Sequence, residues 1–155
     1  MKALKIQVLK HHDIDTALVL WQLFQRSYKV EADLVGVSDF PPLQRSSEAI
    51  QKSDTLFYGI WEKERLAAAI EVSFKNELLD VCSLVIDPDF FRQGLARQLL
   101  DFVEDEFNPQ SCEVETASAN MPAIKLYQKQ GYVLIDQWMT SFHIEKVKLV
   151  KTKNS

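Results

Sequence analysis

Residues 55–86 carry three apolar runs, at 56–61, 66–74 and 78–86. Only the polar turn Glu62-Lys63-Glu64 separates the first two, and Asp87-Pro88 ends the third. Runs of this length with such short connections predict an antiparallel meander. The period changes to that of a helix on both sides. Asp13 offers an N-cap, and Ile14, Ala17, Leu18, Trp21, Phe24 and Tyr28 recur at helical spacing, predicting a first helix that ends near Tyr28. Residues 30–45 read as irregular, with Gly36 and Pro41-Pro42 interrupting them, and Ser46 or Ser47 caps a short helix to about Lys52.

Residues 94–107 return to helical period, with Leu95, Leu99, Phe102, Val103 and Phe107 on the buried side and Pro109 as the stop. A strand over 113–118, a helix over 122–129 and strands over 133–139 and 142–149 follow, and residues 4–8 alternate as a strand before the first helix. The class is α+β, or mixed α/β, around one sheet.

The chain has 155 residues, enough for one domain spanning 1–155, with residues 150–155 expected to fray as part of a basic tail on a solvated edge strand. Acidic residues outnumber basic ones, 22 to 18, for a formal net charge of -4, so no nucleic-acid partner is expected. No run approaches the length of a membrane span, and the N-terminal residues read as a strand, not a signal peptide. Cys82 and Cys112 stand far apart with no CxxC pairing. They predict two reduced, buried thiols, no metal site and a cytoplasmic location.

Two segments carry chemistry. In the first, strand residues Leu84, Val85 and Ile86 run through Asp87-Pro88 into Phe91-Arg92-Gln93-Gly94-Leu95-Ala96-Arg97 and a helix. The first amides of a helix lack intrahelical partners and sit at its positive end. Gly94 has no Cβ and Ala96 only a methyl, so a ligand can approach that backbone, and Arg92 and Arg97 add positive charge. These features make a pyrophosphate cradle. The lysine of a P-loop and the three glycines of a dinucleotide fingerprint are missing. In the second segment, Asn120 can cap a helix, Pro122 suits its first turn, and Gly131 suits its left-handed end. Tyr127 lies four residues after Ala123 on that helix, a spacing that also suits a core position.

Together, and in this order, the segments resemble the GNAT superfamily of N-acetyltransferases. The first is similar to its acetyl-CoA motif, Gln/Arg-x-x-Gly-x-Gly/Ala. The second matches Asn-x-x-Ala-x-x-Leu-Tyr-x-x-x-Gly-Phe/Tyr at Asn120, Ala123, Leu126, Tyr127, Gly131 and Tyr132. One position departs: Phe91 stands where the family has Gln or Arg, with Arg92 one place later. The resemblance implies a mostly antiparallel seven-stranded sheet, splayed between its fourth and fifth strands and flanked by about four helices. It also implies acetyl-CoA as co-substrate, an amine as acceptor and direct attack of that amine on the thioester.

By the same resemblance, the main chain around Leu84 and Val85, where the fourth strand bulges, supports the oxyanion. Tyr127 is the general acid, and Asn120 contacts the pantetheine arm. A free alkyl ammonium is only about one part in a thousand neutral at pH 7, so a base is required. Asp80 is the first candidate and Glu71 the second, and relatives that rely on water keep a third route open. The acceptor pocket is expected to be bordered by the segment holding Tyr28, Glu31, Asp33, Asp39 and Phe40. His11, His12 and His143 read as structural. Phe142, Ile144, Val147 and Leu149 are candidates for a homodimer interface. An acyl-CoA-binding regulatory domain without turnover, and an acetyltransferase acting on a protein lysine or N-terminus, stay open as alternatives.

Overall fold

The structure is a computed structural model and describes residues 5–153. In chain order the elements are β1 (Ile6–Leu9), α1 (Ile14–Val35), a 3-10 turn (Pro41–Gln44), α2 (Ser47–Gln51), β2 (Leu56–Glu62), β3 (Arg65–Lys75), β4 (Leu78–Ile86), a second 3-10 turn (Pro88–Phe90), α3 (Leu95–Phe107), β5 (Ser111–Ala117), α4 (Met121–Lys129), β6 (Val133–Met139) and β7 (Glu145–Thr152). One seven-stranded sheet runs in the order β1-β2-β3-β4-β5-β7-β6. Every neighbouring pair is antiparallel except β4 and β5. Residue 4, placed in the first strand by its alternation, lies outside the described residues.

The sheet is covered on both faces. Leu20, Leu23 and Phe24 of α1 and Ile50 of α2 pack against Phe57, Ala69 and Val85. Leu95, Leu99 and Val103 of α3, with Ile124 of α4, pack against Ile70, Val72, Leu79, Val114 and Leu149 on the other face. β3 lies between the two layers, which explains its uninterrupted buried run from Leu66 to Val72. Burying side chains of this size stabilises the fold by about 1.5–3 kcal/mol each.

One extra residue shapes the centre of the sheet. Glu71 pairs with Ser83 and Val72 with Val81, so Cys82 has no partner on β3 and forms a β-bulge. Without a bulge, residues 81 and 85 would face the same way. Here Val81 packs with the α3 layer and Val85 with the α1 layer. Beyond the bulge β4 also leaves β5. Their parallel ladder joins only Leu78–Val81 to Ser111–Val114; beyond it β4 runs on to Ile86 paired with β3 alone, and β5 to Ala117 paired with β7 alone.

Several expectations need correction. α1 does not stop at Tyr28: it continues to Val35 and ends at Gly36, whose φ of 81° is left-handed and whose N–H donates to the Ala32 carbonyl at 2.8 Å. Gly36 ends a helix, where the sequence reading had it interrupting a loop. Phe142 lies in the connection before β7, and β7 is an interior strand reaching Thr152, so residues 150–152 are paired and not frayed. Lys146, Lys148 and Lys151 are ion-paired to Glu115, Glu113 and Glu104. Ile144, Val147 and Leu149 are buried inside the chain and offer no interface, whereas Phe142 is exposed. Cys82 is exposed, although Cys112 is buried as expected, and both are free thiols. His11 is buried and its Nε2 sits 2.8 Å from the Ser53 carbonyl, tying the start of α1 to the α2–β2 connection.

Candidate active site

Asp87 fixes the loop that leaves β4. It is 1% exposed; its carboxylate accepts from Arg26 at 3.1 Å, lies 2.9 Å from Arg65 and caps the Asp89 amide at 3.0 Å. Its own N–H donates to the Ala67 carbonyl of β3 at 2.8 Å. The chain then passes through two left-handed residues, Arg92 at φ 66° and Gly94 at φ 76°, before α3 begins at Leu95.

The Phe91 amide donates to Pro88 and the Gln98 amide to Gly94. The amides of residues 92–97 have no hydrogen-bond acceptor among the described residues. A Cβ built on Gly94 would meet nothing within 4 Å, so this backbone is open on its outer side. Unpaired N–H groups at a helix start, with Arg92 and Arg97 exposed beside them, form an anion cradle. The residues present suit a diphosphate. Phe91 is 42% exposed and supplies an apolar surface, not a charge, at the edge of this loop.

The gap between β4 and β5 opens into a cavity of about 380 Å³. Val81, Cys82, Ser83 and Leu84 line it from β4, and Val114, Glu115, Thr116 and Ala117 from β5. Asn120, Ala123 and Tyr127 close one end from α4 and its cap; Tyr28, Glu31, Phe40, Pro41 and Pro42 close another from α1 and the turn after it. Thr140, Ser141, Phe142, Ile144 and Lys146 complete the wall. A small cluster of Ala32, Phe40, Ala117 and Ile144 locks the end of α1 against β5 and the start of β7. The last turns of α1, which periodicity had left as loop, therefore hold the cavity shut on that side.

The expected site residues divide. Leu84, Asn120 and Tyr127 reach the cavity; Val85 turns into the α1 core, and the Ile86 N–H is already donated to Ser27 Oγ at 3.2 Å. Tyr127 is 5% exposed, its ring packs 5.6 Å from that of Tyr132, and burial pushes its phenol far above the usual range. Asn120 Oδ1 accepts from the Ala123 amide at 3.3 Å, and the Asn120 side chain also holds Glu31.

Asp80 is not in the cavity wall: it is solvent-exposed on β4, and burial of its inner part with repulsion from Glu113 and Glu115 raises its carboxyl. Glu71 is 2% exposed and fully engaged. Arg45 donates to its two oxygens at 2.7 and 2.9 Å, Thr55 at 2.6 Å and Ser83 at 2.9 Å. Burial alone would raise Glu71, but these partners outweigh it and hold the carboxylate below its ordinary value. A carboxylate so held is a poor proton acceptor and fits a role in positioning Ser83 beside the bulge. Asp33 and Asp39 are exposed and off the cavity wall.

Sequence reasoning gave no role to Cys82, Ser83, Glu115, Thr116 or Lys146. Only the bulge and the splay bring them to the cavity, and neither leaves a composition signal. The Cys82 thiol is pushed up to about 11 by burial and by Asp80 and Glu71, so it stays protonated at neutral pH. Ser83 donates to a carboxylate already neutralised by Arg45. Neither side chain is an activated nucleophile. The arrangement suits transfer between two bound molecules and not through an acyl-enzyme.

The acetyltransferase (GNAT) domain family matches residues 31–153, most of the chain. The chain belongs to this family. Among curated proteins, it is 33% identical to the UPF0157 protein YqkA of Bacillus subtilis over 128 residues, 82% of this chain but only 37% of YqkA. It is 26% identical over 130 residues to the ribosomal protein bS18-alanine N-acetyltransferase of Salmonella typhimurium, covering 82% of this chain and 79% of that one. Among solved structures, the PaiA N-acetyltransferase of Thermoplasma acidophilum in complex with coenzyme A superposes with a TM-score of 0.79 at 17% identity, covering 98% of this chain and all of that one. The ribosomal-protein-S18-alanine N-acetyltransferase of Escherichia coli superposes with a TM-score of 0.75 at 19% identity, covering 97% and 94%. These structures share the fold of this chain over nearly its whole length.

Proposed function

We propose that this GNAT chain transfers an acetyl group from acetyl-CoA to a primary amine, by direct attack of the amine on the thioester. The observation that carries the reading is the cavity at the β4–β5 splay, lying along the same strand that leads into the open amides of residues 92–97. A diphosphate on those amides would set a pantetheine arm along the gap, where Asn120 and the β4 main chain near Leu84 lie. The thioester supplies the activated acyl carbon; the protein has to receive an amine, remove its proton, support the oxyanion and protonate sulfur.

Tyr127 is the proposed acid. Tyr127 lines the cavity, and burial keeps its phenol protonated throughout the working pH range, so it can always donate. The acceptor is a small amine or an amino-acid-like one. A protein N-terminus is the second reading, and the match to an enzyme named for acetylating the alanine of a ribosomal protein favours testing it.

The test is calorimetry with coenzyme A and acetyl-CoA, followed by thiol release with a panel of small amines and an alanine-initiated peptide. No heat from either CoA species would overturn the reading. Binding without thiol release on any acceptor would leave a CoA-binding domain without turnover.

A further inference from the structure

Glu31 is the unexplained charge in this cavity. It lies in the penultimate turn of α1, half-buried, and lines the wall with Tyr28 and Tyr127. Two other charged groups share the wall, Glu115 and Lys146, and these pair with each other at 3.4 Å. Glu31 has no cation within salt-bridge distance among the described residues. The wall also presents the apolar side chains of Phe40, Pro41, Phe142 and Ile144, alongside the hydroxyls of Ser83, Thr116, Thr140 and Ser141. Two carboxylates against one lysine leave the cavity one net negative charge, and its aromatic and aliphatic walls suit one positive charge on an apolar body.

We infer that Glu31 receives the ammonium group of the acceptor and takes its proton, and that the acceptor is a monoamine with an aryl or alkyl body, neither a dication nor a zwitterion. The inference rests on the reading of the site as an acetyltransferase site and names its acceptor. The ammonium gives one proton to the Glu31 carboxylate, which later releases it to solvent. The freed nitrogen lone pair bonds to the thioester carbon, and the C–S bond breaks with its electron pair on sulfur. The second proton leaves the new amide nitrogen and ends on sulfur through Tyr127. The sum is amide, thiol and one proton.

The surroundings of Glu31 suit a base. Burial raises its carboxyl, against the pull of the Asn120 side chain, the Lys146 charge and the Ala117 amide. Around it Tyr28 stands on α1, Tyr127 and Asn120 at α4, Lys146 on β7 and Glu115 on β5. A raised carboxyl is a better match for an amine's proton than an ordinary one.

The test uses the full chain saturated with coenzyme A, which cannot react, titrated with 2-phenylethylamine, putrescine and phenylalanine. 2-Phenylethylamine is expected to bind at least tenfold tighter than either competitor. Its affinity should fall with pH below an apparent value above the ordinary carboxylate range. Glu31→Gln should weaken it at least tenfold while leaving coenzyme A affinity within twofold, which also reports that the variant folds; Glu31→Asp should recover part of the loss. With acetyl-CoA, the acid limb of kcat/KM should vanish in Glu31→Gln. Equal amine affinity in wild type and Glu31→Gln, preference for putrescine or phenylalanine, or no amine binding to a chain that binds coenzyme A would each overturn the inference. Failure to bind coenzyme A would overturn the acetyltransferase reading instead.

Discussion

Arg45 and Glu71 meet through two parallel hydrogen bonds, at 2.7 and 2.9 Å, although they belong to different layers of the molecule. Arg45 follows the first 3-10 turn, whereas Glu71 lies on the central strand, directly opposite Ser83. Removing the guanidinium strands a carboxylate that is 2% exposed. Arg45→Met should therefore destabilise the fold by about 3 kcal/mol, which urea denaturation at pH 7 would measure. Glu71 is held below its ordinary value, so it stabilises the folded state above the unfolded carboxylate pKa and loses that contribution as pH falls through its depressed folded value. Glu71→Gln should flatten the acid side of the stability curve.

Glu31 behaves in the opposite sense. Its folded carboxyl is raised by burial, so the folded state holds the proton more tightly and the charged form disfavours folding. Stability from this group is present at low pH and lost as pH rises from the unfolded value through the folded one. Glu31→Gln should melt higher than wild type at pH 7 and level with it at pH 4. Equal melting temperatures at both would contradict a desolvated carboxylate.

At Gly94 the backbone is left-handed, yet the space beside it is free. Gly94→Val should fold, at a cost of about 1–2 kcal/mol from φ strain. Coenzyme A affinity should fall at least tenfold, because the new side chain stands over the open amides. Calorimetry and a denaturation curve separate the two effects, and unchanged affinity would move the cradle elsewhere.

Tyr127→Phe keeps the ring and removes the donor. Turnover should drop roughly 100-fold, with coenzyme A affinity within threefold. The rate should show no alkaline limb from this phenol, since burial puts its ionisation far above neutrality. An unchanged rate at saturating substrates would exclude it as the acid.

Cys82 is exposed but electrostatically quiet. With its thiol pushed from 9.0 up to about 11, it should alkylate about 100-fold more slowly at pH 7 than an unperturbed cysteine. Because it lines the cavity, bound coenzyme A should slow it further.

The meander, α3 and the capped start of α4 were legible from periodicity and caps. β4 matched its predicted limits, Leu78–Ile86, because Pro88 and the apolar run mark both ends. The end of α1 was legible in part: Phe24, Tyr28, Ala32 and Val35 keep helical spacing, and Gly36 is a left-handed terminator. Reading Gly36 as a breaker cost two turns, and with them the helical placement of Glu31. The family resemblance implied a bulge of β4 near Leu84 and Val85; it lies at Cys82, and periodicity could not place it. An added residue changes which face a side chain serves, and apolar residues on both faces of a buried strand erase the alternation that would reveal it. The basic tail misled because alternating lysines suit a free edge as well as an interior strand whose neighbours carry glutamates.

Only four parallel rungs, Leu78–Val81 with Ser111–Val114, tie the half of the sheet built on β1–β4 to the half built on β5–β7. At the mouth of the split the Ala32, Phe40, Ala117 and Ile144 cluster joins them as well, while α3 packs across both halves on one face. Whatever sits between the rungs and that cluster touches both plates at once and acts as a splice, so filling the split and holding the plates together become the same thermodynamic event.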